Sequence, residues 1–151
     1  MARPKHEHPT PGELEVLNVL WERGPCSVRQ VMETLNRRRR RAYTSVMSLL
    51  GVMTEKGLLK RKLRGRGYLY EPRVDREKTI GQMLQDLLSR AFEGSATCLV
   101  ASLLDEASPS QRELEEIRDT IERFRQTHSE GDSPIISARK SGQSPSRRGG
   151  D

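Results

Sequence analysis

Tyr43-Thr-Ser-Val-Met-Ser-Leu-Leu-Gly-Val-Met-Thr-Glu-Lys-Gly-Leu-Leu-Lys-Arg-Lys-Leu-Arg-Gly-Arg-Gly-Tyr-Leu-Tyr70 is a helix that stops at a glycine, followed directly by a basic hairpin. Val46, Leu49, Leu50 and Met53 recur at i, i+3, i+4 and i+7, so one face is apolar, and Lys56 and Gly57 close the last turn. The opposite face is small and polar. Leu59 to Arg64 and Tyr68 to Tyr70 read as strands joined through Gly65-Arg66-Gly67, where glycine supplies positive φ. A helix slim enough for a major groove, beside a ribbon with cations at its tip, predicts a winged helix-turn-helix that binds duplex DNA.

The preceding residues supply the rest of that domain. Thr10-Pro-Gly-Glu13 is a capping box with proline at the first helical position, which predicts a helix from Pro11 to about Arg23. Leu14, Leu17, Leu20 and Trp21 are its expected buried side. Gly24-Pro25 ends it, and Ser27-Val-Arg-Gln30 opens a second, short helix with Val28, Val31, Met32 and Leu35 on one stripe. Arg37 to Arg41 then form the connection into the third helix.

Beyond the hairpin, Pro72 is expected to break the strand and Asp75 to cap a helix to about Phe92. Its apolar face is Ile80, Met83, Leu84, Leu87, Leu88 and Ala91. Gly94 ends it and Ser95 caps the next, Ala96 to about Asp105, which is apolar almost all round and is therefore expected to be buried. Ser108-Pro-Ser-Gln111 reads as a third capping box. Leu114, Ile117, Ile121 and Phe124 then recur on one face of the last helix. Fifty-three residues are too few to close a stable core alone, and no disulfide or metal staples them, so dimerisation is the expected solution. The alternative is packing of these helices onto the N-terminal domain. The fold class expected is mainly α with a small β-wing. Its parts are a flexible N-terminus (1–9), a winged-helix DNA-binding domain (10–74), a three-helix dimerisation domain (75–127) and a disordered tail (128–151) rich in Gly, Ser, Pro and Arg.

Charge follows the same division. The 151 residues carry a net +6, but residues 1–74 hold sixteen Lys and Arg against seven Asp and Glu, while residues 75–127 hold seven against eleven. Localised positive charge is what a nucleic-acid footprint requires. No signal-peptide core and no run near the ~20 apolar residues of a membrane span is present, so a cytoplasmic protein is expected. Cys26 and Cys98 have no CxxC partner and read as small buried apolar residues. His6 and His8 read as an accidental pair, so neither metal nor cofactor is expected. No histidine lies between His8 and His128 to serve as a base, and no nucleophile set or phosphate-cradling loop is present. An enzyme is therefore not expected.

The helix Glu13-Leu-Glu-Val-Leu-Asn-Val-Leu-Trp21, with Tyr43-Thr-Ser-Val46, Lys56-Gly-Leu58, Gly67-Tyr-Leu-Tyr70, Gly94-Ser95 and Glu113-Leu-Glu-Glu116, resembles the penicillinase-repressor family (BlaI, MecI, CopY). The likeness covers roughly residues 10 to 126. It implies an interlocked helical homodimer that represses by occluding a promoter. It also implies DNA reading by the start of the third helix, here Tyr43, Thr44, Ser45, Met47 and Ser48. Several relatives carry a long polar or basic residue at Met47 and arginine at Val52. Both are absent, and Gly51 should weaken the helix by about 0.5–1 kcal/mol relative to alanine. The run Arg37 to Arg41, with Arg38, Arg39, Arg40 and Arg41 as candidate DNA-binding residues, is expected to supply phosphate contacts in compensation, and Arg64 and Arg66 of the wing are expected backbone contacts that position without specifying. Met83, Leu87, Leu99, Leu103, Leu114, Ile117, Ile121 and Phe124 are the expected dimer interface. In antibiotic-responsive relatives, proteolysis at an Asn-Phe bond lifts repression. The corresponding bond is Ser102–Leu103, the candidate proteolytic switch, with a regulatory protease as the implied partner. Copper-responsive relatives carry a C-terminal cysteine pair that this chain lacks. The readings set against a homodimeric repressor on an inverted repeat are a non-specific DNA-coating protein and a ligand-sensing MarR-like regulator.

Overall fold

The computed structural model describes residues 8–129. Three helices, α1 (Pro11–Arg23), α2 (Val28–Leu35) and α3 (Tyr43–Glu55), precede an antiparallel hairpin, β1 (Leu59–Arg64) and β2 (Gly67–Pro72). Then come α4 (Arg76–Ala91), α5 (Ala96–Ala107) and α6 (Gln111–His128). This is a winged helix followed by three helices. The chain separates into two compact units between Leu99 and Val100, inside α5. Among the described residues no single helix is long and apolar enough to cross a membrane.

Both N-terminal capping boxes form. Thr10 Oγ1 accepts from Glu13 N (3.2 Å) while Thr10 N donates to Glu13 Oε1 (2.9 Å), and Ser27 and Gln30 repeat the exchange with the same distances. Each box satisfies two amide groups that a helix start leaves unpaired. α3 closes as expected, with Gly57 at φ +83° and Leu58 N donating back to Met53 O (2.9 Å). The hairpin is tighter than the sequence suggests: Arg64 pairs with Gly67, so Gly65-Arg66 alone form the turn and Gly67 lies in β2. Gly65, at φ +63°, is the one glycine of the turn in the left-handed region. Pro72 does not break the strand early but ends it, opposite Leu59.

The core of this unit joins Val16, Leu17, Val19 and Leu20 of α1, Val31 and Leu35 of α2, and Val46, Leu50 and Met53 of α3 with Cys26, Leu59 and Tyr70. The buried arc of α1 is therefore broader than expected, since α2, α3 and β2 all pack against it. Val16 and Val19 are covered, whereas Leu14 and Trp21 are half-buried. Trp21 keeps a polar link, donating from Nε1 to Val74 O (3.1 Å) at the foot of the wing. Cys26 and Tyr70 exchange both backbone hydrogen bonds (3.0 and 2.8 Å), which pins β2 to the α1–α2 turn.

Glu13 is the unexpected member, a carboxylate only 2% exposed. Lys56, at the end of α3, donates to both its oxygens (3.3 and 3.1 Å), so one group caps α1 and ties it to α3. Burial alone would raise its pKa. The hydrogen bonds from Thr10 and Lys56, with the lysine's charge, outweigh that and hold it below the ordinary 4.5. A lowered folded-state pKa means stability that is present above about pH 4.5 and lost as pH falls through the folded value. Glu13→Gln is accordingly expected to flatten the acid limb of a melting-temperature profile between about pH 5 and 3, with the larger loss of stability at neutral pH. Thermal melts across that range check it.

The later helices carry two corrections. α6 is capped by Ser110, whose Oγ accepts from Glu113 N (3.2 Å), and not by Ser108. Ser108 instead closes α5 in the left-handed region (φ +44°), donating to Leu104 O (3.0 Å). Pro109 separates the two roles. The second correction concerns burial: no residue of α5 or α6 is buried, and Cys98 is exposed in the single chain. Among the described residues none covers these apolar surfaces fully.

Candidate nucleic-acid interface

With Val46, Leu50 and Met53 turned into the core, helical phase sends Thr44, Ser45, Met47 and Ser48 outward. All four are exposed, as is Tyr43 at the first position of α3. Met47 is 52% exposed, a large apolar side chain among hydroxyls. Ala42, the N-cap, offers no side-chain cap, so amides at the start of α3 keep their donors for an acceptor from outside. A shallow open groove runs beside this face, lined by Thr10, Thr44, Ser45, Ser48, Val52 and Lys56. Gly51 is not required by packing, since an added Cβ would meet nothing within 4 Å.

Cations precede and follow the helix in the chain. Arg37 to Arg40 are exposed in the α2–α3 connection, whose turns are held by bonds from Arg38 N and Arg39 N to Leu35 O (3.1 and 3.3 Å). Arg41 behaves differently. Its backbone N donates to Asn36 Oδ1 (2.8 Å), its side chain is only 15% exposed, and its guanidinium is bound by Glu15 of α1. Of the four arginines expected at phosphates, Arg41 is thus the one whose guanidinium is already engaged by a carboxylate within the protein. The Arg41 hydrogen bond, opposed by modest desolvation and assisted by the nearby Arg39 and Arg38, holds the Glu15 carboxyl below its ordinary value.

On the wing, Arg64 and Arg66 are exposed at the tip, where the short turn projects them. Lys60 and Lys62 share Glu71 (3.7 Å each), and Arg61 lies 4.3 Å over the Tyr68 ring. The cations of the strands therefore have partners in the ribbon, while those at the tip have no ion pair among the described residues. Start of α3, Arg37–Arg40 and wing tip all belong to one unit.

The other expected residues fall on the later helices. Leu87, Leu103, Leu114, Ile121 and Phe124 are exposed, and Met83, Leu99 and Ile117 are half-buried. Within the second unit, Val100, Leu104, Leu114, Ile117 and Ile121 line an apolar groove between α5 and α6. Ser102–Leu103 lies mid-way along α5, in regular helix. His6 lies outside the described residues, and His8 Nε2 is 3.6 Å from Asp86 Oδ2. Glu13 and Glu15 are what sequence reasoning missed. Glu13 was visible as a capping residue, but its lysine is 43 positions away and Glu15's arginine 26.

Comparison with known proteins gives a consistent answer. Residues 9–123 match the family model described as penicillinase repressor. The transcriptional regulator BlaI of Mycobacterium tuberculosis is 34% identical over a stretch covering 70% of this chain and 83% of that protein. The penicillinase repressor of Bacillus licheniformis is 24% identical, covering 73% and 86%. Among solved structures, a monomeric Bacillus licheniformis BlaI in complex with the blaP half-operator is 25% identical and covers 45% of this chain and 83% of its own, with a TM-score of 0.40.

Proposed function

The chain belongs to the penicillinase repressor family, a family of transcriptional repressors and not of enzymes, and from that premise we propose a homodimer that binds an inverted-repeat operator in the cytoplasm. The observation that carries this reading is the exposed hydroxyl face of α3, preceded in the chain by the exposed Arg37–Arg40 and followed by the exposed Arg64 and Arg66 of the wing. Thr44, Ser45 and Ser48 can donate to or accept from base edges, Met47 can meet a thymine methyl, and the arginines set register on the phosphates without carrying sequence information. Two-fold pairing through α5 and α6 would place two such faces on successive turns of one side of the duplex. The apolar stripe of α6, with Leu114, Ile121 and Phe124 exposed and Ile117 half-buried, supports that pairing.

The arginine run gives the direct test. Replacing Arg38, Arg39 and Arg40 by alanine should reduce the slope of log K against log salt by about 0.9 per lost phosphate contact, about 2.7 in all. The loss should be similar for operator and random duplex, because positioning contacts do not discriminate. Fluorescence anisotropy at several salt concentrations measures both. A triple variant with unchanged slope would remove the run from the interface.

A further inference from the structure

Glu15 is a carboxylate set among cations at the reading end of α3. Its charge interacts with Arg38, Arg39 and Arg41, and its Oε2 accepts from Arg41 Nη2. Arg41 lies two residues before the first residue of α3, between the free arginines and the hydroxyl face. Its other terminal nitrogen, Nη1, is buried and has no hydrogen-bond partner among the described residues. Among the described residues Glu15 is the one side-chain acceptor that guanidinium meets, while being itself about half exposed. The pair is partly exposed, Arg41 at 15% and Glu15 at 49%, and it sits beside the arginine loop proposed to meet phosphates, so it sets how much of that loop's charge reaches DNA.

We propose that Glu15 limits sequence-independent DNA binding by holding Arg41 back from phosphates and opposing the charge of the arginine run. The proposal rests on the reading of this face as a DNA interface. Sequence-independent affinity scales with the number of phosphates neutralised, so a repressor that must ignore most DNA gains from one cation fewer. Without the Glu15 charge, Arg41 Nη2 loses its charge-assisted partner while Nη1 is unpaired already, so the whole guanidinium head is left to an acceptor from outside, such as a phosphate oxygen. On random duplex the protein is free to shift until that head meets a phosphate. On its operator the base contacts of α3 fix the register, so less is gained.

The test is an anisotropy titration of Glu15→Gln against a random-sequence duplex and a selected operator duplex, across salt concentrations and well below the melting temperature. The expected result is about threefold to tenfold tighter binding of random duplex, a salt slope steeper by about 0.9, and a smaller operator-to-random ratio. The double variant Glu15→Gln with Arg41→Met should lose the steeper slope, which separates the freed arginine from mere loss of negative charge. Unchanged or weaker binding of random duplex by Glu15→Gln, with its melting curve intact, would overturn the proposal. Should Glu15→Gln lower the melting temperature, Glu15→Asp decides: a shorter carboxylate that restores the wild-type slope supports the proposal, and one that leaves the slope at its Glu15→Gln value contradicts it. The Arg38, Arg39, Arg40 triple variant runs alongside. If it flattens the slope while Glu15→Gln does nothing, only this proposal falls; if neither variant moves the slope, the DNA reading of this face falls with it.

Discussion

Ile121→Lys is expected to convert a dimer to a monomer and weaken binding to an inverted repeat by about 10²–10⁴, while binding to a half-site changes little. The size follows from geometry. Two linked reading heads make the second binding event intramolecular, and the monomer forfeits that effective concentration. The sign follows from exposure: Ile121 is 52% exposed in the single chain, so a lysine there costs the monomer almost nothing. A dimer that buries the stripe would have to desolvate an ammonium, which it avoids by dissociating. Sedimentation equilibrium and circular dichroism together read the result. Retained helicity with a halved mass is expected, and an unchanged mass would move the dimer surface off α6.

The second large effect is structural. Leu50 is fully buried, on the inward face of α3. Leu50→Ala is expected to cost about 2–5 kcal/mol, from lost burial and the cavity left behind. A small domain has only about 5 kcal/mol or slightly more to lose, so a large share of its stability goes with one side chain. Denaturant titration measures the loss, and a melting temperature lower by 10 °C or more should accompany it. Loss of operator binding should track loss of folded protein, because Leu50 faces away from the reading surface. Weakened binding by a fully folded variant would mean that α3 shifts when its core anchor shortens.

The contrast between these two positions shows what the sequence makes legible. Local signals read well: the capping boxes of Thr10 and Ser27, the stop at Gly57 and the spacing of Val46, Leu50 and Met53 are all set by neighbours within one or two turns. A single helical stripe also predicts that a face is apolar. It does not say what covers it. α5 is apolar almost all round, yet within one chain it has no buried residue, and the expected burial of Cys98 fails for that reason. α1 errs the other way: packing on α2, α3 and β2 widens its buried arc to Val16 and Val19. Charges reached across long separations were the least visible. Lys56 meets Glu13, and Arg41 meets Glu15, through folding that no local pattern encodes. The same blindness treated Arg41 like its neighbours, because a run of five arginines looks uniform until one is found paired with Glu15. Serine spacing misled at α6 as well, where two serines flanking a proline serve different helices.

A repressor with a symmetric pair of α3 helices would read one specific sequence twice. Selection of bound duplexes from a random pool by the purified full chain, at physiological salt so that phosphate contacts alone are penalised, tests it most directly. Enrichment of an inverted repeat, with half-sites about one helical turn apart, is the predicted result. Tight retention of duplexes with no enriched sequence would contradict it, and would make the exposed arginines of the α2–α3 connection and the wing a general DNA-coating surface.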